Sequence, residues 1–143
     1  MPAIDFFSED INYKLKNKAL VRQWIKNTIV AEGFELSGLT FIFCSDTYLL
    51  NINQQYLNHD TYTDIITFDN SELDGVIFGD IFISIERIRE NAAKFSVSET
   101  DELHRVIIHG TLHLLGYKDK SVLDKQKMTE KEDFYLSMRT LIS

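Results

Sequence analysis

The chain has 143 residues, 44% of them hydrophobic and 26% charged, with a formal net charge of -7. That length suits one domain, residues 1–143, that buries a core without disulfides; Cys44 is the one cysteine, so no intrachain disulfide can form and a reducing, cytoplasmic setting is expected. The acidic balance argues against coating nucleic acid by bulk attraction, Met1–Asp5 lacks a signal-peptide profile, and no apolar run approaches the roughly 18 residues that span a bilayer, so no membrane contact is expected.

Ile4–Phe7 reads as a short strand. From about Lys14 to Ala31, Leu15, Leu20, Trp24, Ile25 and Ile29 recur at roughly helical spacing, and Gly33 ends that helix. Leu39–Cys44 is β-branched and aromatic and predicts a strand, with Cys44 as a small core residue. Ser45 is placed to cap a helix reaching about Leu57. Asp64–Phe68 and Asp80–Ser84 predict two further strands, separated by the turn-rich Asp69–Glu72. A helix follows from Ile85 to about Lys94, and Phe34 and Phe95 are assigned with Trp24 to the core. Ser98 and Asp101 form a capping box for a helix running to Leu115, with Leu103, Val106, Ile107 and Leu114 facing inward. Gly116 is its C-cap residue. Ser121 caps a last helix to about Leu141 that packs Met128, Phe134, Tyr135, Met138 and Leu141.

The chemistry lies on the helix that starts at Ser98. His109 and His113 are four residues apart, which puts two imidazoles on one helix face, one turn apart. Gly116 lets the chain turn back, and Asp119 arrives three residues later. Two His and one carboxylate leave a coordination position open, the arrangement of a catalytic rather than a structural zinc site. The expected cofactor is one divalent ion, with zinc first and harder metals favoured somewhat by the carboxylate. Histidines spaced by four also occur by chance, but imidazoles on so apolar a helix need partners, and a metal is one. A peptidase of the His-Glu-x-x-His type would carry its general base directly after the first His. Gly110 stands there and has no side chain to take a proton. In mid-helix it costs about 1 kcal/mol relative to alanine, so either substrate or a neighbouring strand must approach closely. His104 lies about 140° round the helix from His109 and does not share the site.

The string His109-Gly110-Thr111-Leu112-His113-Leu114-Leu115-Gly116-Tyr117 resembles the signature of the YbeY family, bacterial metal-dependent endoribonucleases of ribosomal RNA maturation. Gly79–Ser84 is similar to that family's Gly-Asp-Ile strand, and Asn53 to Tyr56 followed by Thr63–Phe68 looks like its Asn-x-x-Tyr-Arg and Thr-Asp-Val-Leu-Ser-Phe segment. The resemblance covers most of the chain. It implies an α+β fold, a small mixed sheet of about four strands packed with helices and a central metal-binding helix. Two positions depart from the pattern. Asp119 stands at unchanged spacing where the family usually has a third His, and Leu57 stands where it usually has an Arg assigned to RNA binding or catalysis. Leucine can neither pair with phosphate nor stabilise developing charge. The resemblance implies 16S rRNA processing as the activity, with precursor RNA and small-subunit ribosomal proteins as partners. A non-catalytic metal-binding ribosome-assembly factor, or a metallohydrolase of another substrate, are the alternatives. Lys118, Lys120, Lys125 and Lys127 cluster beyond the metal loop as candidate RNA contacts, although lysines on a helix are as often a solvated face. Asp64, Asp80 and His59 are the candidates for a proton-transfer role.

Overall fold

The computed structural model describes residues 3–57 and 63–139. Its elements, in chain order, are β1 (Ala3–Ser8), α1 (Lys18–Ala31), β2 (Glu35–Cys44), α2 (Asp46–Leu57), β3 (Ile65–Asp69), β4 (Val76–Ser84), α3 (Ile85–Phe95), α4 (Glu99–Leu114) and α5 (Val122–Ser137). The four strands form one mixed sheet in the order β1-β2-β4-β3. β1 and β4 both run parallel to β2, and β3 returns antiparallel to β4. The fold is the α+β arrangement that the family resemblance implies, a four-stranded mixed sheet packed with helices.

Strand alternation assigns the two faces. Ile4, Leu39, Phe41, Phe43, Ile77, Ile81 and Ile83 lie on one face, in a single core with α1 and α4. On the opposite face Cys44 and Ile66 pack with Leu49 and Ile52 of α2, flanked by Phe68 and Phe82. The sheet is therefore clamped between α4 and α2, and β3 lies at its edge.

Several expectations change in detail. α1 begins at Lys18, because Asn17 holds a left-handed φ of 57°. Leu15 is buried in the segment before it. The inward stripe of α1 is Val21, Trp24, Ile25, Thr28 and Ile29, which leaves Leu20 at its exposed margin. Phe34 is half-buried against the core, but Phe95 is exposed at the end of α3. On α5 the buried stripe is Met128, Glu132 and Tyr135, spaced by four and three. Phe134 and Met138 fall off that stripe and are exposed. Leu141 lies outside the described residues. All three predicted N-caps form: Ser45 Oγ accepts the Tyr48 N–H at 3.1 Å, Ser98 Oγ accepts the Asp101 N–H at 3.0 Å, and Ser121 Oγ accepts the Asp124 N–H at 3.0 Å. The Asp101 carboxylate binds Arg139. Among the described residues no helix is long and apolar enough to cross a membrane.

Candidate metal centre and cleft

α4 carries His109 and His113 one turn apart, with ring centroids 4.6 Å apart and planes crossing at 83°. The helix ends in a Schellman turn. Gly116, at φ 102°, donates its N–H to His113 O at 3.0 Å, and Tyr117 donates to Leu112 O at 3.0 Å. The positive φ is why glycine stands there. Glu32 holds the turn in place: the Tyr117 hydroxyl donates to its Oε1 at 2.5 Å, while Tyr135 Oη and Lys131 Nζ donate to its Oε2. Burial raises the pKa of Glu32, but these three donors outweigh it and leave the carboxyl below its ordinary value.

That turn returns Asp119 to the histidines. Asp119 Oδ2 is 3.3 Å from His109 Nε2 and 3.2 Å from His113 Nε2. Ligand atoms of the three residues all lie within 4.8 Å of one another. A tetrahedral zinc ion bound at about 2.0–2.1 Å separates its ligand atoms by about 3.3 Å. The donor set therefore fits a four-coordinate ion with one position left for water or substrate.

Glu132, on the buried stripe of α5, meets the other nitrogen of His109. Its Oε2 lies 2.6 Å from His109 Nδ1. An ionised carboxylate only accepts, so Nδ1 carries the proton and Nε2 presents its lone pair to the cluster. Arg105 donates to Glu132 Oε1 and to Asp133 Oδ1, each at 2.7 Å. Burial lowers the pKa of His109, but the Glu132 hydrogen bond and the charges of Glu132, Asp119 and Asp64 raise it overall. The same negative surroundings suit a cation.

The cluster opens into a cleft of about 480 Å³. Its walls are the end of α2 (Asn53, Leu57), the segment Thr63–Thr67, the two histidines, Asp119 and Lys120. Asp64 is among them, and burial raises its carboxyl pKa, with His109 and Arg87 opposing. Of the lysines singled out above, Lys120 lines this cleft. Lys118 and Lys127 line a neighbouring cavity of about 420 Å³ beside Glu32 and Tyr117, and Lys125 is exposed on α5. Asp80 is not brought to the cleft; it accepts a hydrogen bond from Asn70 at 3.2 Å by the β3–β4 hairpin. His59 lies outside the described residues. Gly110 meets a strand rather than open space: a Cβ there would lie 2.6 Å from Ile65 Cδ1 and 3.2 Å from Ile81 Cγ2. Sequence reasoning missed Glu132. The available signal was a charged residue four after Met128 and three before Tyr135, an inward position that a carboxylate occupies only with partners.

A mixed sheet clamped between two helices, with a His-His-Asp cluster beside its edge strand, defines an α+β protein with a candidate metal-hydrolase centre. The family model described as Endoribonuclease YbeY matches residues 3–139. The chain is 52% identical over 136 residues to the Endoribonuclease YbeY of Cytophaga hutchinsonii, covering 95% of each chain. It is 49% identical over 132 residues to that of Flavobacterium psychrophilum, covering 92% of this chain and 94% of the relative. The solution structure of TM1509 from Thermotoga maritima superposes with a TM-score of 0.65 at 28% identity, over 94% of this chain and 87% of that one. The chain belongs to the YbeY family of endoribonucleases.

Proposed function

We propose that residues 1–143 form one YbeY-like metallohydrolase domain that cuts precursor ribosomal RNA in the cytoplasm during 16S rRNA maturation, with His109, His113 and Asp119 holding a zinc ion. The observation that carries this reading is the convergence of three ligand atoms within 4.8 Å of one another, with Asp119 Oδ2 at 3.2–3.3 Å from both histidine Nε2 atoms, in an open cleft of a chain whose relatives are named endoribonucleases. Small-subunit ribosomal proteins are the protein partners we infer, because they coat that RNA.

When bound, the ion supplies Lewis acidity toward the phosphoryl group and toward an attacking water. The protein's own groups do the rest. Glu132 keeps His109 in the tautomer that ligates through Nε2, and Arg105 holds Glu132 in place through its hydrogen bond to Oε1. The Gly116 turn and its Glu32 anchor deliver Asp119. Asp64, with its pKa raised by burial, is the candidate to accept a proton at the cleft wall. Among the described residues, Lys120 is the lysine lining the cleft, and it would draw a phosphate to it. Leu57, in the position of the family's usual Arg, also lines the cleft, so phosphate attraction falls to Lys120 and the metal.

The test pairs metal analysis with cleavage. Zinc-loaded wild type is expected to cut a structured fragment of precursor small-subunit RNA. His113→Ala and Asp119→Ala are expected to bind zinc more than about 100-fold more weakly, beyond the 10–100-fold typical of outer-shell partners, and to cut nothing. Equal cleavage by wild type and His113→Ala, or wild-type protein that binds no metal, overturns the reading.

A further inference from the structure

The edge strand β3 has a direction to its backbone that no side chain reveals. Ser84 donates its N–H to Asp64 O, and Asn70 donates its N–H to Phe78 O. In an antiparallel ladder with Ile65 opposite Ile83, the even-numbered residues therefore bond to β4. The N–H and C=O groups of Ile65, Thr67 and Asp69 point the other way, off the sheet. No further strand among the described residues pairs with that edge.

The cleft runs along it. Thr63, Asp64, Ile65, Ile66 and Thr67 line the cleft consecutively. Alternate residues of a strand belong to opposite faces, so the three consecutive strand residues Ile65, Ile66 and Thr67 line one space only if that space straddles the edge. The surroundings agree. Ile65 meets α4 at Gly110 on one face, while Ile66 packs with Leu49 and Ile52 of α2 on the other. The outward N–H groups of Ile65 and Thr67 thus open into the space shared with His109, His113, Asp119 and Lys120. Two residues of strand separate these donors by about 6.8 Å.

An open edge is ordinarily a liability that proteins cover. Here it lies beside a candidate metal centre. We propose that the backbone N–H groups of Ile65 and Thr67 hold phosphate groups of the RNA strand, laying it along β3 and across the metal ligands. The inference rests on the endoribonuclease reading and adds a positioning element to it. Hydrogen bonds from N–H to an anionic phosphate are charge-assisted and carry no base information. The edge would therefore fix the path of the strand without selecting its sequence. A phosphodiester fits better than a peptide, because Lys120 on the same wall complements its charge and Gly110 denies the site a peptidase base.

The edge amides can be read directly. Zinc-loaded protein is titrated with a short, nuclease-resistant 2′-O-methyl oligouridylate, and backbone amides are followed by NMR and hydrogen exchange. The amides of Ile65 and Thr67 are expected to shift and gain protection, while those of Ile66 and Phe68, already bonded to β4, are not. Thr67→Pro removes an outward N–H at a position where an edge strand tolerates proline, and is expected to weaken RNA binding about tenfold with zinc affinity unchanged. If that variant loses zinc or misfolds, the amide measurement alone decides. Should wild type cut RNA while the two amides stay unprotected, the edge inference falls and the nuclease reading stands. Should wild type neither bind nor cut RNA, the nuclease reading itself falls. Protection by an extended peptide but not by the oligonucleotide would reassign the edge to peptide docking and overturn the inference.

Discussion

His104 and His109 sit five residues apart on α4, and their surroundings push their protons in opposite directions. His104 is sealed at 1% exposure beside Trp24, and its Nδ1 accepts from Arg139 Nη1 at 2.8 Å. Burial first, then the Arg139 charge, lower its pKa to about 4, against a smaller opposing effect of Asp101. His109 is half-buried, faces three carboxylates and is raised instead. One helix therefore has a neutral, structural end and an end suited to a cation. Residue type does not distinguish them; what packs against each does.

The largest expected effect tests the sealed end. An unfolded chain protonates His104 near its ordinary 6.5, whereas the folded protein resists until about pH 4. The group is therefore neutral in both states above about pH 6.5, and stability is lost as pH falls from there toward 4. The loss attributable to His104 approaches about 3 kcal/mol, taken from the shift at about 1.4 kcal/mol per unit. Asp101 and Arg139 face it directly, and Glu99, Arg89 and Tyr13 line the adjoining cavity, so other groups titrate nearby. The difference between wild type and His104→Gln isolates its share. Denaturant unfolding in the presence of a chelator, at pH 7 and pH 4.5, is expected to show a steeper loss for wild type. Equal losses in both proteins would mean that His104 is not held neutral.

The second effect tests the other end. Glu132→Gln keeps the shape but replaces an acceptor-only carboxylate with an amide, which leaves the tautomer of His109 unfixed and Arg105 without half of its charge partner. Zinc affinity is expected to fall about 10–100-fold by chelator competition. Affinity within about twofold of wild type would show that the Glu132 contact does not orient the ligand. If His109 and His104 differ because of their partners, only this variant should reach the metal, and His104→Gln should leave zinc affinity unchanged.

The sequence revealed the parts that depend on spacing. His109, His113 and Asp119 were readable because a four-residue interval and a glycine turn impose geometry by themselves. The order and type of the elements followed from periodicity and caps. What escaped required tertiary placement. Glu132 reaches His109 only because α5 folds back against α4. The lysines after Gly116 look like one basic cluster along the chain, yet they diverge in space: Lys120 toward the cleft, Lys118 and Lys127 toward the Glu32 cavity. Phe95, Phe134 and Met138 read as core by hydrophobicity alone, and lie off the stripes that the neighbouring elements cover. The open edge of β3 depends on strand order, which no local pattern encodes.

The smallest effect lies between the two ends, at Gly110, where the helix touches the sheet. Alanine is worth about 1 kcal/mol more than glycine in a helix interior. Against that, the new methyl would come within 2.6 Å of Ile65 Cδ1 and about 3.2–3.3 Å of Ile81. Overpacking of this kind costs about 1–3 kcal/mol. Gly110→Ala is therefore expected to be net destabilising by about 1 kcal/mol. The nearest atom is the tip of a half-buried side chain, so removing it should help. In an Ile65→Val background, which lacks Cδ1, the same substitution is expected to be neutral or stabilising, a coupling that a double-mutant cycle measures. Gly110→Ala at least as stable as wild type would mean that sheet packing does not explain the glycine. The remaining explanation would be room for substrate beside His109, and loss of RNA cleavage at unchanged zinc affinity would then follow. The two outcomes separate a glycine that lets α4 close on β3 from one that keeps the cleft open.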